Sequence, residues 1–383
     1  MRGQADYVID GDIRGKRHAE REEMTESAAV LHKQGGDTGC RILDELLNEA
    51  LRTGASSIHI EGTGIRLRKF GRLCEFRELS NAQASEIVLK IKQLVHSDVS
   101  EEEHISEGVF AYNAGKLILV RVSCMRAVYV SGTGESVVLQ LFDQSTIPFS
   151  LGQLGMDTLQ IQKLSALSRE KSGLILIGGT VCSGKSTTAA ALLLHIQHEN
   201  GNGKKIVSLD NEPEYILPGI IQIQDRGKRD VSSTEAFYHV LRQCPDVLMA
   251  GDIEDGEKAA AAVQAAAAGC LVLAVLDSAG TAEAVMRMLA FGIHPPVLAA
   301  VLKGIIIQQI VYREERAVLL ADAATVRNKL QETIIAPYTA EELNTCFSHC
   351  TNVISQVSKS IRRLAPPVHT GHSERVDTEK VYV

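Results

Sequence analysis

A continuous apolar run passes into a glycine-rich turn and then into helical sequence at residues 173–196, "GLILIGGTVCSGKSTTAAALLLHI". The turn has the pattern Gly-x-x-x-x-Gly-Lys-Ser, from Gly179 to Ser186. Glycines let backbone N–H groups turn inward on phosphate oxygens, and the N-terminus of the following helix attracts negative charge. The pattern is specific for nucleotide phosphates when a strand precedes it and a helix follows it. The segment therefore predicts a phosphate-binding loop (Walker A) after a buried parallel strand.

The side chains of this loop have predicted roles toward a nucleotide, which we expect to be ATP bound with Mg²⁺. Lys185 is expected to contact the β- and γ-phosphates, and the hydroxyl of Ser186 is expected to bind the Mg²⁺ ion. The other loop residues predicted to surround the phosphates are Gly179, Thr180, Ser183, Gly184 and Thr187.

Carboxylates follow two further apolar runs. The run "DVLMAGD" ends at Asp252, a Walker B candidate that would hold Mg²⁺ or orient the attacking water. The run "KKIVSLD" leads into "NEPEY", which places Asp210, Glu212 and Glu214 at the same predicted sheet edge. Ligands bind at that edge in open α/β sheets. Asp210, Glu214 and Asp252 are therefore candidate catalytic residues. A solvated acidic loop is the alternative interpretation of the Asp210–Glu214 group.

The remaining sequence divides by pattern into four segments. Residues 1–36 are polar and glycine-interrupted, and they are predicted to be disordered. Residues 37–145 combine two helical patterns with alternating strand-like runs, which predicts an α+β domain. Residues 146–350 alternate apolar strands with helices, which predicts a parallel α/β sheet, with mainly helical sequence from residue 283. Residues 351–383 complete a last helix and form a polar tail; 143–156 is the expected linker between the domains.

Composition and charge narrow the class of protein. The chain has 45% hydrophobic and 23% charged residues, as in ordinary globular domains, and its net charge of −7 argues against nucleic acid as the main partner. No apolar run approaches the roughly 20 residues that cross a bilayer, and the charged N-terminus has no signal-peptide core. We therefore expect a cytoplasmic protein whose membrane association is peripheral.

The cysteine spacing points to a reducing compartment. The eight cysteines include no Cys-x-x-Cys pair. Cys346 and Cys350 are predicted to be buried thiols on one helix face, in preference to half of a metal site.

Five stretches, in this order, resemble the secretion-ATPase superfamily, which includes the pilus-retraction, pilus-assembly, type II secretion and plasmid-transfer ATPases. They are "GASSIHIEGTGIRLRKFGRL", "LILVRVSCMRA", "ESVVLQLFD", "LRQCPDVLMAGDIEDGEKAAAAVQAAAAGCLVLAVL" and "ATVRNKL". The resemblance covers about residues 40–335. It implies a RecA-like P-loop ATPase domain preceded by a PAS-like α+β domain, in a chain of the α/β class.

The resemblance also implies an assembly and its partners. Members of the superfamily form hexameric rings of identical subunits, bind nucleotide between the two domains and act on an inner-membrane platform protein. Arginines of the first domain reach the phosphates in such rings, and Arg66, Arg68, Arg121 and Arg126 are the candidates here. For each arginine, a solvated position on a strand is the alternative interpretation.

The chain departs from the superfamily at several positions. The acidic box "EDPxE" is Asp210-Asn211-Glu212-Pro213-Glu214 here, and Asp252 stands for the Walker B glutamate. The two histidines of the box "GHLVxxxLHT" are Cys270 and Asp277, and Glu254 replaces an arginine. These changes predict slow hydrolysis, because a catalytic group misplaced by about 1 Å costs on the order of a hundredfold in rate.

The expected function is that of an ATP-hydrolysing motor of a type IV pilus or a related secretion or conjugal-transfer system. The alternative is a nucleotide-binding structural or regulatory ring subunit with weak or no hydrolysis. The sequence has no Cys-x-x-Cys zinc insertion after the Walker B strand, which favours the retraction or plasmid-transfer type.

Overall fold

The computed structural model describes residues 30–31, 38–95, 105–129, 132–147, 150–211, 213–224, 233–313 and 316–325. These residues form two sheets of seven strands each. The first sheet is built from residues before the expected linker and the second from residues after it. The predicted disordered segment 1–36 is described only at Val30–Leu31, a short strand, and the polar tail lies outside the described residues.

The first sheet has the order β1-β5-β6-β7-β2-β3-β4, and all its pairings are antiparallel except that of β1 with β5. Its strands are β1 (Val30–Leu31), β2 (Ser57–Glu61), β3 (Gly64–Lys69), β4 (Arg72–Glu78), β5 (Ile105–Asn113), β6 (Leu117–Tyr129) and β7 (Gly132–Asp143). Two helices, α1 (Thr38–Arg52) and α2 (Asn81–Leu94), share one buried apolar cluster with this sheet. The α+β pattern predicted from the sequence is confirmed.

The helices of this first unit form where the sequence supplies an apolar stripe and a cap. In α1 the buried residues recur at helix spacing, and they include Ile42, Leu46 and Ala50. At the start of α2 the Ser80 side chain accepts a hydrogen bond from the backbone of Gln83, and the Gln83 side chain accepts one from the backbone of Ser80. This reciprocal capping box satisfies backbone groups that a helix end leaves unpaired.

The second sheet has the order β10-β9-β11-β12-β8-β13-β14, in which the first six strands are parallel and β14 is antiparallel. Its strands are β8 (Gly173–Gly179), β9 (Ile206–Asp210), β10 (Ile221–Gln224), β11 (Val247–Asp252), β12 (Leu271–Asp277), β13 (Leu302–Arg313) and β14 (Arg316–Thr325). The helices are α3 (Thr158–Ser168), α4 (Lys185–Asn200), α5 (Ser233–Leu241), α6 (Gly256–Ala267), α7 (Thr281–Ala290) and α8 (Pro295–Val301).

Separate apolar clusters lie on the two faces of this second sheet. One contains residues of α6, α7 and α8, and the other contains residues of α3 and α4. Strands buried on both faces explain the continuous apolar runs in the sequence, such as the fully buried β8. The predicted parallel α/β sheet is confirmed, and the four strands expected from the sequence are β8, β9, β11 and β12.

The prediction of mainly helical sequence from residue 283 is wrong for residues 302–325. After α8 the chain forms β13, which pairs with β8, and then turns back as β14. The sequence "LKGIIIQQIVY" carries four isoleucines and a valine, and β-branched side chains favour strands over helices. Residues 326–350, including Cys346, Cys350 and most of "ATVRNKL", lie outside the described residues.

Among the described helices, none has the length and apolar character needed to cross a membrane.

Candidate functional site

The phosphate loop connects β8 to α4 at the carboxyl edge of the parallel sheet. Gly184 has φ +85°, a left-handed conformation that glycine adopts without steric cost, and Lys185 begins the helix. A Cβ atom at Gly179 would lie 2.6 Å from the backbone oxygen of Gln308, so the loop closes too tightly there for a side chain. The Walker A sequence therefore has the local geometry that brings backbone N–H groups around a phosphate.

Gln308, on the neighbouring strand β13, supports this loop. Its side-chain amide donates a hydrogen bond to the backbone oxygen of Ser183 at 2.7 Å, and Gln308 is 2% exposed. Strand β13 aligns Gln308 with Gly179 of β8, which places the amide directly beneath the loop. The sequence reasoning missed this residue, although two adjacent glutamines inside an apolar strand are a visible signal.

Lys185 is held by three oxygen atoms. Its ammonium group donates to the backbone oxygens of Gly179 at 3.0 Å and Thr180 at 2.9 Å, and to Oδ1 of Asp277 at 2.9 Å. The side chain of Lys185 is 10% exposed, whereas that of Asp277 is 54% exposed. The ion pair between Asp277 and the loop lysine was not anticipated from the sequence.

Asp252 ends strand β11 beyond a break in the strand register. The pairing of β11 with β12 shifts between Met249 and Asp252, and Gly251 between them has φ +63°. A Cβ atom at Gly251 would lie 2.8 Å from the backbone oxygen of Leu209, so only glycine fits. This bulge determines where the Asp252 carboxylate emerges.

The environment of Asp252 favours protonation of its carboxyl group. Although the residue is exposed, desolvation by the surrounding chain raises its pKa, Lys185 lowers it, and the charges of Asp277 and Glu254 raise it. The charge of the loop lysine therefore acts on the carboxyl group of Asp252, so the Walker A and Walker B residues interact electrostatically within one site.

Asp210 and Glu214 lie at the same sheet edge. Burial raises the pKa of Asp210, a hydrogen bond from Ser208 lowers it, and the charge of Asp252 raises it. Burial also raises the pKa of Glu214, whereas Arg121 and a hydrogen bond from Ser186 lower it. The structure thus joins the predicted carboxylates to Ser186, the predicted Mg²⁺ ligand. Glu212 lies outside the described residues.

Arg121 of strand β6 reaches this group from the antiparallel sheet. Its Nη1 lies 3.7 Å from Oε1 of Glu214, and its guanidinium carbon lies 5.3 Å from the centre of the Phe142 ring. Phe142 meets Tyr215 edge to face at 6.4 Å, and the Tyr215 hydroxyl shares a 3.0 Å hydrogen bond with Thr187. A continuous set of contacts therefore joins the first sheet to the helix of the phosphate loop.

Gln144, just after β7, fastens the acidic segment to the first sheet. Its side-chain amide donates to the backbone oxygen of Glu214 at 2.8 Å, and its side-chain oxygen accepts from the backbone N–H of Ile216 at 2.8 Å. Gln144 is 1% exposed. Neither Gln144 nor Tyr215 was singled out from the sequence, because only the folded chain brings them together.

The other candidate arginines lie away from the phosphate loop in the single chain. Arg66 donates to the Glu61 carboxylate, and Arg68 donates to the backbone oxygen of Gly71. Arg126 is exposed and lies five residues beyond Arg121 on β6, about 16 Å along the strand and on its opposite face. Of the four, the structure brings only Arg121 to the candidate site.

The described residues fit a nucleotide phosphate chain and its magnesium ion. Ser183 Oγ is buried at the turn, with no hydrogen-bond partner among the described residues. Lys185 and the N-terminus of α4 supply positive charge. Hydroxyl and carboxylate oxygens, the ligands that Mg²⁺ prefers, come from Ser186 and Asp252. Gly179, Thr180, Gly184 and Thr187 complete the predicted phosphate-binding set.

Solved structures share this fold. The ATPase DotB of Legionella pneumophila has a TM-score of 0.68 at 18% identity, with 88% of this chain and 95% of that chain covered. The pilus retraction motor PilT, solved with bound ADP, has a TM-score of 0.63 at 22% identity, with 82% of this chain and 92% of that chain covered. The predicted fold, in which an α/β domain follows an antiparallel-sheet domain along the chain, is therefore confirmed.

Curated proteins are similar in sequence. A putative type II secretion system protein E of Escherichia coli is 35% identical over 297 residues, which are 76% of this chain and 59% of that protein. The type II secretion system ATPase E of Vibrio cholerae is 32% identical over 295 residues, 76% of this chain and 57% of that protein. The chain thus spans somewhat more than half the length of these relatives.

The family described as "Type II/IV secretion system protein" matches residues 33–380, a range that includes every strand of both sheets except β1 and every residue of the candidate site. The resemblance inferred from the five sequence stretches is confirmed, and the chain belongs to the type II/IV secretion system protein family.

Proposed function

We propose that this chain is an ATP-hydrolysing motor subunit of a type IV pilus or a related secretion or conjugal-transfer machine. The observation that carries the proposal is the convergence of Lys185, Ser186, Glu214 and Asp252 on one edge of the parallel sheet, with Arg121 arriving from the antiparallel sheet. Such a site grips a phosphate chain, holds a metal ion and offers carboxylates to a water molecule.

In the proposed reaction each residue has a separate task. Lys185 and the backbone of the phosphate loop bind the β- and γ-phosphates of ATP, and Ser186 and Asp252 would hold Mg²⁺. The metal, when bound, neutralises charge on the phosphates. Asp252 or Glu214 accepts a hydrogen bond from the attacking water and orients it. Arg121 holds Glu214 and supplies positive charge beside the site.

We expect hydrolysis to be slow. Asp252 is one methylene shorter than the glutamate of the superfamily, and Lys185 is partly neutralised by Asp277. A nucleotide-binding structural or regulatory ring subunit is therefore the second candidate function. The shortened Walker B side chain and the Lys185–Asp277 ion pair are the observations that favour it.

The proposed assembly is a homo-hexameric ring in the cytoplasm, peripheral to the inner membrane, that acts on a platform protein. The division into domains at 37–145 and 146–350 belongs to this proposal, because nucleotide would lie where the two units meet. Nucleic acid is not an expected partner, since the chain carries a net charge of −7.

The test is steady-state hydrolysis of Mg·ATP by the purified chain and by Lys185→Ala. Hydrolysis by the parent but not by Lys185→Ala supports the motor function, because the variant lacks the point charge at the phosphates. Nucleotide binding without hydrolysis supports the structural or regulatory function. Absence of both from the parent contradicts the proposal. Mass measurement with a non-hydrolysable ATP analogue should show six times the chain mass of 41.5 kDa.

A further inference from the structure

The ammonium group of Lys185 has no hydrogen left for a phosphate in the structure. A lysine ammonium donates three hydrogen bonds. Here the acceptors are the backbone oxygens of Gly179 and Thr180 and Oδ1 of Asp277, all within 3.0 Å. A nucleotide must therefore displace at least one of these oxygens before Lys185 contacts its phosphates.

Asp277 is held where its carboxylate faces Lys185. Strand β12 ends at Asp277, in register with Gly179 at the end of β8. The backbone oxygen of Asp277 accepts a hydrogen bond from Nη1 of Arg287 at 2.6 Å, which ties this strand end to helix α7. The position of the carboxylate is thus set by the sheet and by α7.

Of the three acceptors, Asp277 is the one that a nucleotide displaces most readily. Its side chain is 54% exposed, so water can solvate the released carboxylate. The two carbonyl oxygens belong to the loop backbone and move only with the loop. A phosphate oxygen restores the anionic partner of Lys185 that the carboxylate provided, so the exchange replaces one anion by another.

The released carboxylate remains at the sheet edge, beside the end of the phosphate chain. The lysine of a phosphate loop reaches the β- and γ-phosphates, so a carboxylate that had been 2.9 Å from it lies near the terminal phosphate. Like charges at that separation repel each other. The repulsion is greater for a triphosphate than for a diphosphate, whose chain ends one group earlier.

We propose that Asp277 is a specificity-determining residue that occupies Lys185 in the nucleotide-free site and weakens the binding of ATP more than that of ADP. This inference rests on the proposed nucleotide site. It assigns to Asp277 a role that a histidine at this position would not have, since a neutral imidazole carries no negative charge with which to form an ion pair with Lys185 or to repel a phosphate.

The experiment measures dissociation constants of Mg·ADP and of Mg·AMP-PNP, a non-hydrolysable triphosphate, by calorimetry on the full chain. The variants are Asp277→Asn and Asp277→His. Both remove the negative charge of the carboxylate, and their side chains differ in shape. Glu199→Gln is the matched control, because Glu199 is an exposed carboxylate near the C-terminal end of α4 that pairs with Arg169 at 3.0 Å. Lys185→Ala reports whether binding occurs at the phosphate loop.

We expect Asp277→Asn to bind the triphosphate roughly tenfold more tightly and the diphosphate roughly threefold more tightly, with Glu199→Gln within about twofold of the parent. The ratio of the two constants is decisive, since a merely structural role would change both equally. Equal effects on both nucleotides, no effect, or an equal effect of Glu199→Gln would overturn the proposal for Asp277.

The same measurements distinguish a wrong nucleotide site from a wrong role for Asp277. If neither nucleotide binds to the parent or to the Asp277 variants, the nucleotide site is refuted, and the role of Asp277 with it. If the parent binds both and Lys185→Ala binds neither, the site stands and the Asp277 comparison decides the inference.

Discussion

Nη1 of Arg121 lies 3.7 Å from Oε1 of Glu214, so a strand of the antiparallel sheet places a positive charge beside a candidate catalytic carboxylate of the parallel sheet. Both side chains are about one-quarter exposed, at 26% and 23%. Burial raises the pKa of Glu214 and Arg121 opposes that effect. The ionisation of the carboxylate therefore depends on contact between the two sheets.

Replacement of Arg121 should shift the pH dependence of hydrolysis. In Arg121→Gln the pKa of Glu214 rises further, so the carboxylate ionises only at higher pH. If Glu214 acts in hydrolysis as an anion, the acidic limb of the kcat/KM profile should move up by roughly one pH unit. Arg121→Lys should move it less. Arg72→Gln, at an exposed position on β4, is the control. An unmoved acidic limb in Arg121→Gln would contradict the role of Glu214.

The reach of Asp252 should limit turnover. Asp252→Glu extends the carboxylate by one methylene without changing its charge, and we expect steady-state hydrolysis to rise by roughly tenfold. Asp252→Asn should lower hydrolysis and leave nucleotide affinity nearly intact, because the phosphate loop does most of the binding. If Asp252→Glu is no faster than the parent and Asp252→Asn is equally active, the water-positioning role passes to Glu214 or Asp210.

Gln308 should be required for the shape of the phosphate loop. Gln308→Leu removes the buried donor to the Ser183 carbonyl, and an unsatisfied buried acceptor costs about 1–3 kcal/mol. Oε1 of Gln308 is itself buried without a partner among the described residues, and its removal offsets part of this cost, so we expect the free energy of unfolding to fall by less than about 3 kcal/mol and nucleotide affinity to fall with it. Gln309→Leu, the neighbouring and exposed glutamine, is the matched control. Urea unfolding with and without ADP checks both effects, and equal behaviour of the two variants would count against the support of the loop by Gln308.

Alkylation of Cys182 should report nucleotide binding. This exposed thiol lies within the phosphate loop at φ +61°. N-ethylmaleimide should modify it in the nucleotide-free protein. Saturating Mg·ATP should slow the modification roughly in proportion to the fraction of protein that has no nucleotide bound.

Peptide mapping provides internal controls for Cys182, because Cys74 and Cys244 are exposed away from the loop. Burial raises the pKa of Cys124 to about 11 and that of Cys270 to about 12, so these thiols should remain unmodified. Unchanged labelling of Cys182 with ATP would exclude nucleotide from the loop.

Asp210 should make stability depend on pH in the nucleotide-free protein. Because burial raises its pKa in the folded state, its ionisation opposes folding as pH rises through that value. Asp210→Asn should equal the parent in stability below about pH 4 and exceed it at neutral pH, by about 1.4 kcal/mol for each unit of the shift. Glu86→Gln, at an exposed position on α2, should show no such trend. A stability difference that is constant with pH would contradict the burial of a charged Asp210.

The sequence predicted the elements whose pattern is local. The loop from Gly179 to Ser186 and the apolar strands that end at Asp210 and Asp252 could be read directly, because binary pattern and glycine spacing determine them. Strand β13 was mistaken for helix, because a short apolar run fits either a buried helix or a buried strand. Its partner β8 lies well over one hundred residues earlier, and no local signal reports that pairing.

The residues that sequence reasoning missed act across long separations. Gln308 meets Ser183 from 125 positions away, and Gln144 meets Ile216 from 72 positions away. Asp277 was visible only as a departure from the superfamily, and its ion pair with Lys185 spans 92 positions. Motif spacing gives the chemistry of a loop, but the side chains that hold the loop in place depend on strand order.

The attachment of Gln144 to the backbone of Glu214 and Ile216 has a mechanical consequence. The buried side-chain amide of Gln144 forms both hydrogen bonds. Breaking either bond while the groups stay buried would leave an unsatisfied donor or acceptor, at a cost of about 1–3 kcal/mol each. The segment that carries Glu214 is thus tied to the antiparallel sheet through Gln144 and to the parallel sheet through Gln222 of β10, which donates to the backbone oxygen of Tyr215 at 2.8 Å. A change in the angle between the sheets would therefore strain this doubly attached segment, and Glu214 would shift relative to Lys185 only if one of the two attachments broke.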